Sequence, residues 1–213
     1  QMDRRSSDNV GMLFHSEMRR FPVIILLILG LRFICGAADG DALAAIVGAG
    51  RDTQSIECDF IQTRQSSLLG SAAVSRGRMS FRSPDVLRWE YTEPVALSLS
   101  MEGGKVTVIR DVVTQKQGDG AGRMFGQIAR MVTGGITGRT LTDSRSFETS
   151  VREENGGYVA VLNPVGSAAA RMLSSLVIHF DRKSLCAVRM EIYEKNGDST
   201  VIEFVNIRKE SVR

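Results

Sequence analysis

The chain has two histidines, His15 and His179, so acid–base or nucleophilic chemistry beyond its N-terminal segment would have to run through His179. A Ser-His-Asp or Cys-His relay needs that ring within hydrogen-bond reach of both a nucleophile and a carboxylate. His179 stands among Leu176, Ile178 and Phe180 with the opposite parity. Strand side chains alternate between faces, so His179 is expected outside the core. No Gly-x-Ser-x-Gly elbow occurs. Gly134-Gly135-Ile136-Thr137-Gly138-Arg139-Thr140 has the glycines of a phosphate loop but lacks its Gly-Lys-Ser/Thr ending. Metal ligation by thiol and imidazole needs clusters that this sequence does not contain. Asp119 and Asp143 could form an acid pair, but both lie in loop-like sequence where carboxylates are solvated. No catalytic residue, metal ligand or cofactor is assigned, and the chain reads as a non-enzyme.

The elements around these residues supply apolar faces instead. Residues 81–94 read as two strands broken at Pro84, which cannot donate to a ladder. Leu87, Trp89 and Tyr91 point one way, and Arg88, Glu90 and Thr92 the other. Residues 57–65 place Cys58, Phe60 and Gln62 on one face, and residues 77–82 do the same with Met79 and Phe81. Val95, Leu97, Leu99 and Met101 alternate with Ala96, Ser98 and Ser100. Gly103-Gly104 turns the chain, and Val106, Val108 and Val112-Val113 continue the sheet. Residues 123–133 read as a helix, with Met124, Phe125, Ile128, Met131 and Val132 at three- and four-residue spacing. Glycines at 118–122 before it and at 134, 135 and 138 after it suit a mobile lid; the same pattern also suits an ordinary helix packed on a sheet.

Strands resume after Arg145. Residues 147–152 and 158–162 flank Asn155-Gly156-Gly157, a hairpin signal. Leu176, Ile178 and Phe180 lead to a turn at Asp181-Arg182-Lys183-Ser184. Cys186, Val188, Met190 and Ile192 share a face, Asn196-Gly197 turns again, and Ile202, Phe204 and Asn206 alternate to the end. A first helix is expected over residues 39–50, capped by Asp41 and ended by Gly48 and Gly50. The fold class is mainly β with helical insertions, α+β. About ten strands joined by tight turns make a strongly curved antiparallel sheet, a half-open barrel with a helix across its open side. Phe60, Met79, Phe81, Leu87, Trp89, Tyr91, Leu97 and Leu99 on the strands, with Met124, Phe125, Ile128 and Met131 on the helix, would wall its interior. That interior is either a ligand cavity or a filled core. Methionine adapts to variable apolar shapes and so suits the first.

Residues 1–38 read as an N-terminal extension and export signal. Met18 is the expected start, Arg19-Arg20 the basic region, 21–33 the apolar stretch, and Ala38 the last residue before cleavage. An uncleaved anchor is the alternative, although the apolar run is shorter than the ~20 residues a span needs. Cys35 lacks the preceding small residue of a lipidation site. Removing 1–38 takes five of 27 Lys/Arg and three of 24 Asp/Glu, so the formal charge falls from +3 to +1. No basic cluster argues for nucleic acid. Residues 39–213 suit one domain with its own core. Cys58 and Cys186 remain in a chain expected to be exported, where a disulfide and two buried thiols are both open.

The order and spacing of Asp59-Phe60-Ile61-Gln62-Thr63, Gly77-Arg78-Met79-Ser80-Phe81, Pro84 and Leu87-Arg88-Trp89-Glu90-Tyr91 resemble the periplasmic lipoprotein carriers of the LolA family. These carry a Gln-containing first strand, a Gly-led second, an Arg-Pro turn and a Trp-bearing third. The resemblance covers roughly residues 40–208. It implies an incomplete antiparallel barrel with a helical lid, working in the periplasm as a monomer. It further implies that acylated lipoproteins, or a related lipid, are taken from an inner-membrane ABC transporter and passed to an outer-membrane receptor without bond chemistry. In that family an arginine directly before the turn proline hydrogen-bonds the lid. Here Ser83 holds that position and Arg82 lies one residue earlier, a shift that turns a strand side chain to the other face. Arg82 serves as the lid latch only if the turn is bulged, and Arg88 is a weaker substitute. This departure leaves room for a LolA-like paralogue with another lipid cargo. The alternative class is a periplasmic protein-binding or scaffold module with a filled core. An enzyme on this fold would need His179 in a cleft with a carboxylate.

Overall fold

A computed structural model describes residues 37–68, 70–110, 113–116, 120–165 and 170–212. The expectations for residues 1–36, Val112, Gly118 and Asp119 lie outside the described residues, as do the side chains of Met124, Phe125 and Ile128. Residues 37–213 form one compact unit. In chain order the elements are α1 (Ala37–Arg51), β1 (Thr53–Gln65), β2 (Ala72–Arg82), β3 (Val86–Glu93), β4 (Leu97–Glu102), β5 (Lys105–Arg110) and β6 (Val113–Lys116). Then come α2 (Gly120–Ile136), a short 3-10 turn at Thr140–Thr142, β7 (Phe147–Glu154), β8 (Gly157–Pro164), β9 (Leu173–Phe180), β10 (Ala187–Glu194) and β11 (Ser199–Ser211).

The strands make one eleven-stranded sheet in the order β6-β5-β4-β3-β2-β1-β11-β10-β9-β8-β7, with β6 and β7 at its edges. Every neighbouring pair is antiparallel. Two meanders are thus joined where β1 meets β11. The sheet curls: Leu87 of β3 and Leu176 of β9, on opposite wings, belong to one buried cluster. Register shifts at Glu57/Asp59, Arg76/Gly77, Ala187/Arg189 and Tyr193/Glu194 add local twist. Asn155 and Gly156 take φ of 51° and 77°, the left-handed pair that a two-residue hairpin turn requires.

The mainly β class, the antiparallel curvature and the covering helix are as expected, and several boundaries differ. β2 begins at Ala72, ahead of the strand expected over residues 77–82, because it follows β1 to its end, Ala72 opposite Gln65. Val95 stands outside β4 and is exposed. Asp41 lies within α1 rather than capping it, and Gly48 and Gly50 are also helical. α2 is longer than its apolar spacing showed. It takes in Gly120 and Gly122 at one end and Gly134 and Gly135 at the other, and stops before Gly138, whose φ is 72°.

Candidate functional site

Alternation and register together build the inner face of β1–β5 into transverse rows. One row runs Ile56, Phe81, Leu87, Met101, Val106; the next runs Cys58, Met79, Trp89, Leu99, Val108; a third runs Phe60, Gly77, Tyr91, Leu97. Every one of these side chains is buried. Gly77 is the reason Phe60 can lie flat on the sheet: a Cβ there would stand 2.6 Å from Phe60 Cζ and 1.9 Å from Glu90 O. The Phe60 ring centroid lies 4.2 Å from that of Trp89 and 5.2 Å from that of Tyr91, and Phe204 meets Trp89 edge-on at 6.2 Å. Tyr91 donates its hydroxyl to Gln62 Oε1 at 2.9 Å. Burial raises the Tyr91 pKa, so the phenol stays neutral and the wall uncharged at physiological pH.

Eight expected wall residues, Phe60, Met79, Phe81, Leu87, Trp89, Tyr91, Leu97 and Leu99, therefore share one surface. Ile56, Met101, Val106, Val108 and Phe204 belong to it too and were not assigned. The alternation around Gly103-Gly104 pointed to three of them, since a tight turn puts Val106 opposite Met101 and Val108 opposite Leu99.

α2 covers this face. Ala129 and Val132 are buried in the same apolar cluster, Met131 packs against it half-buried, and Gly126 approaches Val106. The glycines after the apolar run do not loosen the helix. A Cβ on Gly134 would stand 1.9 Å from Thr140 Oγ1, and one on Gly135 3.2 Å from Met190 Cε and 3.3 Å from Ile178 Cδ1. Gly138 faces Val47 of α1, and Gly50 of α1 abuts the backbone of Ile136, Thr137 and Gly138. These glycines permit close approach; they seat the C-terminal end of α2 on α1 and on β9–β10.

Arg82 does not latch this helix. Phe81 faces inward, so Arg82 faces outward, exposed on the side of the sheet opposite α2. It lines one of two overlapping outer clefts of about 550 Å³ each, with Arg88, Arg208 and Glu210 in one and Glu57, Asp59, Arg78 and Glu90 in the other. Their walls are polar and largely self-paired. Arg208 meets Glu57 at 3.1 Å, Arg78 meets Asp59 at 3.7 Å, and Asn206 donates to Asp59 at 2.7 Å. A smaller cleft of about 320 Å³ lies beside α2 among Asp85, Met101, Arg130, Thr133, Thr140 and Phe147.

His179 faces outward as its parity required. Its Nε2 lies 3.0 Å from Glu191 Oε1, which also accepts from Arg189 Nε at 2.9 Å, while Glu191 Oε2 accepts from Tyr193 at 2.6 Å. Desolvation works against the Glu191 carboxylate, but these hydrogen bonds outweigh it and hold its pKa below the usual range. No hydroxyl or thiol hydrogen-bonds His179 among the described residues. Cys58 and Cys186 are buried free thiols, and burial first, then Asp59 and Cys186, push the Cys58 thiol up to about 12.

The fold and the site define a curved-sheet protein with a broad apolar inner face under one helix. Residues 51–212 match the outer membrane lipoprotein carrier protein LolA family, and the chain belongs to that family. Among solved structures, the chain is similar to a DUF1329 family protein from Desulfovibrio piger, with 12% identity over 79% of this chain and 90% of the other, at a TM-score of 0.44. A LolA superfamily protein from Nitrosomonas europaea gives 12% identity over 81% and 95%, also at 0.44. The MucA/MucB complex of Pseudomonas aeruginosa gives 13% over 83% of this chain and 59% of that one, at 0.44. No curated protein matches the sequence.

Proposed function

We propose that this chain is a periplasmic carrier that shelters the acyl chains of a lipoprotein, or of a related lipid, against the inner face of β1–β5 beneath α2. The observation that carries the reading is the set of transverse apolar rows on that face, in a chain of the LolA family. Each methylene left in water costs about 0.8 kcal/mol, so an acyl chain crosses an aqueous space only if sheltered. The buried side chains of those transverse rows include Leu, Met, Phe and Trp. In this reading α2 swings from its N-terminal end while its glycine-seated C-terminal end stays fixed. Cargo then takes the place of the helix over β3–β5, where Gly126 approaches Val106, and no bond is made or broken.

A filled core serving a protein-binding module is the second reading. It is favoured by the 4.2 Å contact of Phe60 with Trp89 and by the placement of the two larger clefts on the outer face. Native mass spectrometry of the exported protein, purified without detergent and followed by lipid extraction, separates the two. Bound lipid or acylated protein supports the carrier. An empty protein that also fails to take up a fluorescent acyl probe refutes it in favour of the binding module.

A further inference from the structure

The smaller cleft beside α2 lies where the two wings of the sheet meet. Met101 of β4 lines one side and Phe147 of β7 the other, and both belong to the buried apolar cluster. Met101 also stands in the first transverse row, opposite Leu87, so the cleft adjoins the inner face of β1–β5. α2 closes it with Arg130, Thr133 and Gly134. Gly134 is pressed against Thr140, so this part of the helix belongs to the seated C-terminal end and the cleft keeps its shape when the other end moves.

One polar atom in this cleft lacks a partner. Thr133 is 2% exposed, and its Oγ1 has no hydrogen-bond partner among the described residues. A helical threonine can return its hydroxyl to a carbonyl one turn back, as Thr137 does to Thr133 O at 2.8 Å. Thr133 does not, and a buried hydroxyl left unbonded is costly. The charges around it indicate the kind of partner. Asp85, Asp143, Arg130 and Arg139 all line the cleft, and none is in an ion pair among the described residues. Two carboxylates and two guanidiniums cancel, so the cleft selects neither an anion nor a cation. A neutral acceptor fits it, and the hydroxyl would donate to that acceptor. The volume of about 320 Å³ is that of roughly ten waters, room for a short polar linkage and not for acyl chains.

We infer that this cleft holds the carbonyl of the ester or amide that joins the cargo's acyl chain to its polar part, with Thr133 Oγ1 donating to that oxygen. The chain itself continues past Met101 onto the transverse rows. The inference rests on the carrier reading and adds to it the residue that reads the linkage. The test is displacement of a fluorescent acyl probe from the exported protein by 1-palmitoylglycerol, N-palmitoylglycinamide and 1-O-hexadecylglycerol. The last keeps the chain and lacks the carbonyl. The ester, the amide or both bind about fivefold more tightly than the ether, the worth of one hydrogen bond. Preference for the amide alone identifies an N-acylated peptide as the source of the carbonyl, and preference for the ester alone a glyceryl lipid. Thr133→Val, nearly the same shape, binds all three at the level of the ether, while Thr133→Ser keeps the preference. Thr133→Val also keeps or raises the urea midpoint, because it removes an unbonded hydroxyl. A lowered midpoint shows that the hydroxyl already has a structural partner such as a buried water, and overturns the inference. So does equal binding of the three ligands to the wild type, or a preference that survives in Thr133→Val; in these cases the carrier reading stands. If none of the three displaces the probe, or the probe itself does not bind, the carrier reading fails and the inference falls with it.

Discussion

Gly50→Ala tests whether the end of α2 is seated or hinged. Gly50 lies in the last turn of α1, where alanine in place of glycine normally stabilises a helix by up to about 1 kcal/mol. A Cβ there would stand 2.8 Å from Ile136 O and Thr137 C and 3.0 Å from Gly138 N. These are backbone atoms, so the α1–α2 seam would have to open by about half an ångström. Overpacking of that kind costs about 1–3 kcal/mol, and the net expectation is a loss of about 1–2 kcal/mol. Gly48→Ala is the internal control: it lies in the same helix with nothing within 4 Å of its Cβ, and it should gain stability. Urea unfolding followed by Trp89 fluorescence gives both numbers. Hydrogen exchange at the Thr137 and Gly138 amides, which bond to Thr133 O and Gly135 O, should accelerate in Gly50→Ala alone. If the two variants gain alike, the α1–α2 seam is loose and the reasoning fails.

Gly77→Ala should cost more than 3 kcal/mol or abolish folding, since its Cβ would fall on Glu90 O, and soluble protein with a wild-type urea midpoint would contradict the row geometry. Trp89 is the only tryptophan and is buried on the inner face, so a brominated acyl chain should quench it if cargo binds there; binding without quenching places the cargo elsewhere. Glu191→Gln should destabilise at pH 7. The folded pKa of Glu191 is lowered, so its contribution is present above the unfolded value of about 4.3 and lost as pH falls through the folded one. Urea midpoints of variant and wild type should therefore converge at low pH, and a gap that persists at pH 2 would show the network is not electrostatic. Cys58, with its thiol pushed up to about 12, should resist a thiol reagent at pH 8 until urea unfolds the protein.

The pattern around Trp89 was legible because a strand's period and a tight turn are both local. Leu87, Trp89 and Tyr91 declared a face, and Gly103-Gly104 fixed how β4 and β5 align. His179 was placed outward by the same parity. The role of the glycines in 134–138 was not legible, because a glycine that loosens a helix and one that admits a neighbour look alike until the neighbour is known. Thr140, Met190 and Val47 are those neighbours, and two of them are more than 50 residues away. Arg82 was legible in part: its shift from the residue before Pro84 signalled that the side chain turns to the other face, and the parity of Phe81 puts it there. The union of β1 with β11 has no local signal at all.

That union sets the order in which the protein can be assembled. Ser55 and Glu210, 155 residues apart, share a hydrogen bond at the middle of the sheet, and Val212 N reaches Asp52 O at 2.8 Å. Each wing can zip up from its own hairpins, but the wings become one surface only when the last strand arrives. Distant closures of this kind are slow. The chain therefore holds its apolar rows open to water until β11 is in place. The interval before that closure is when the protein is most exposed to aggregation, and to any helper that shields it.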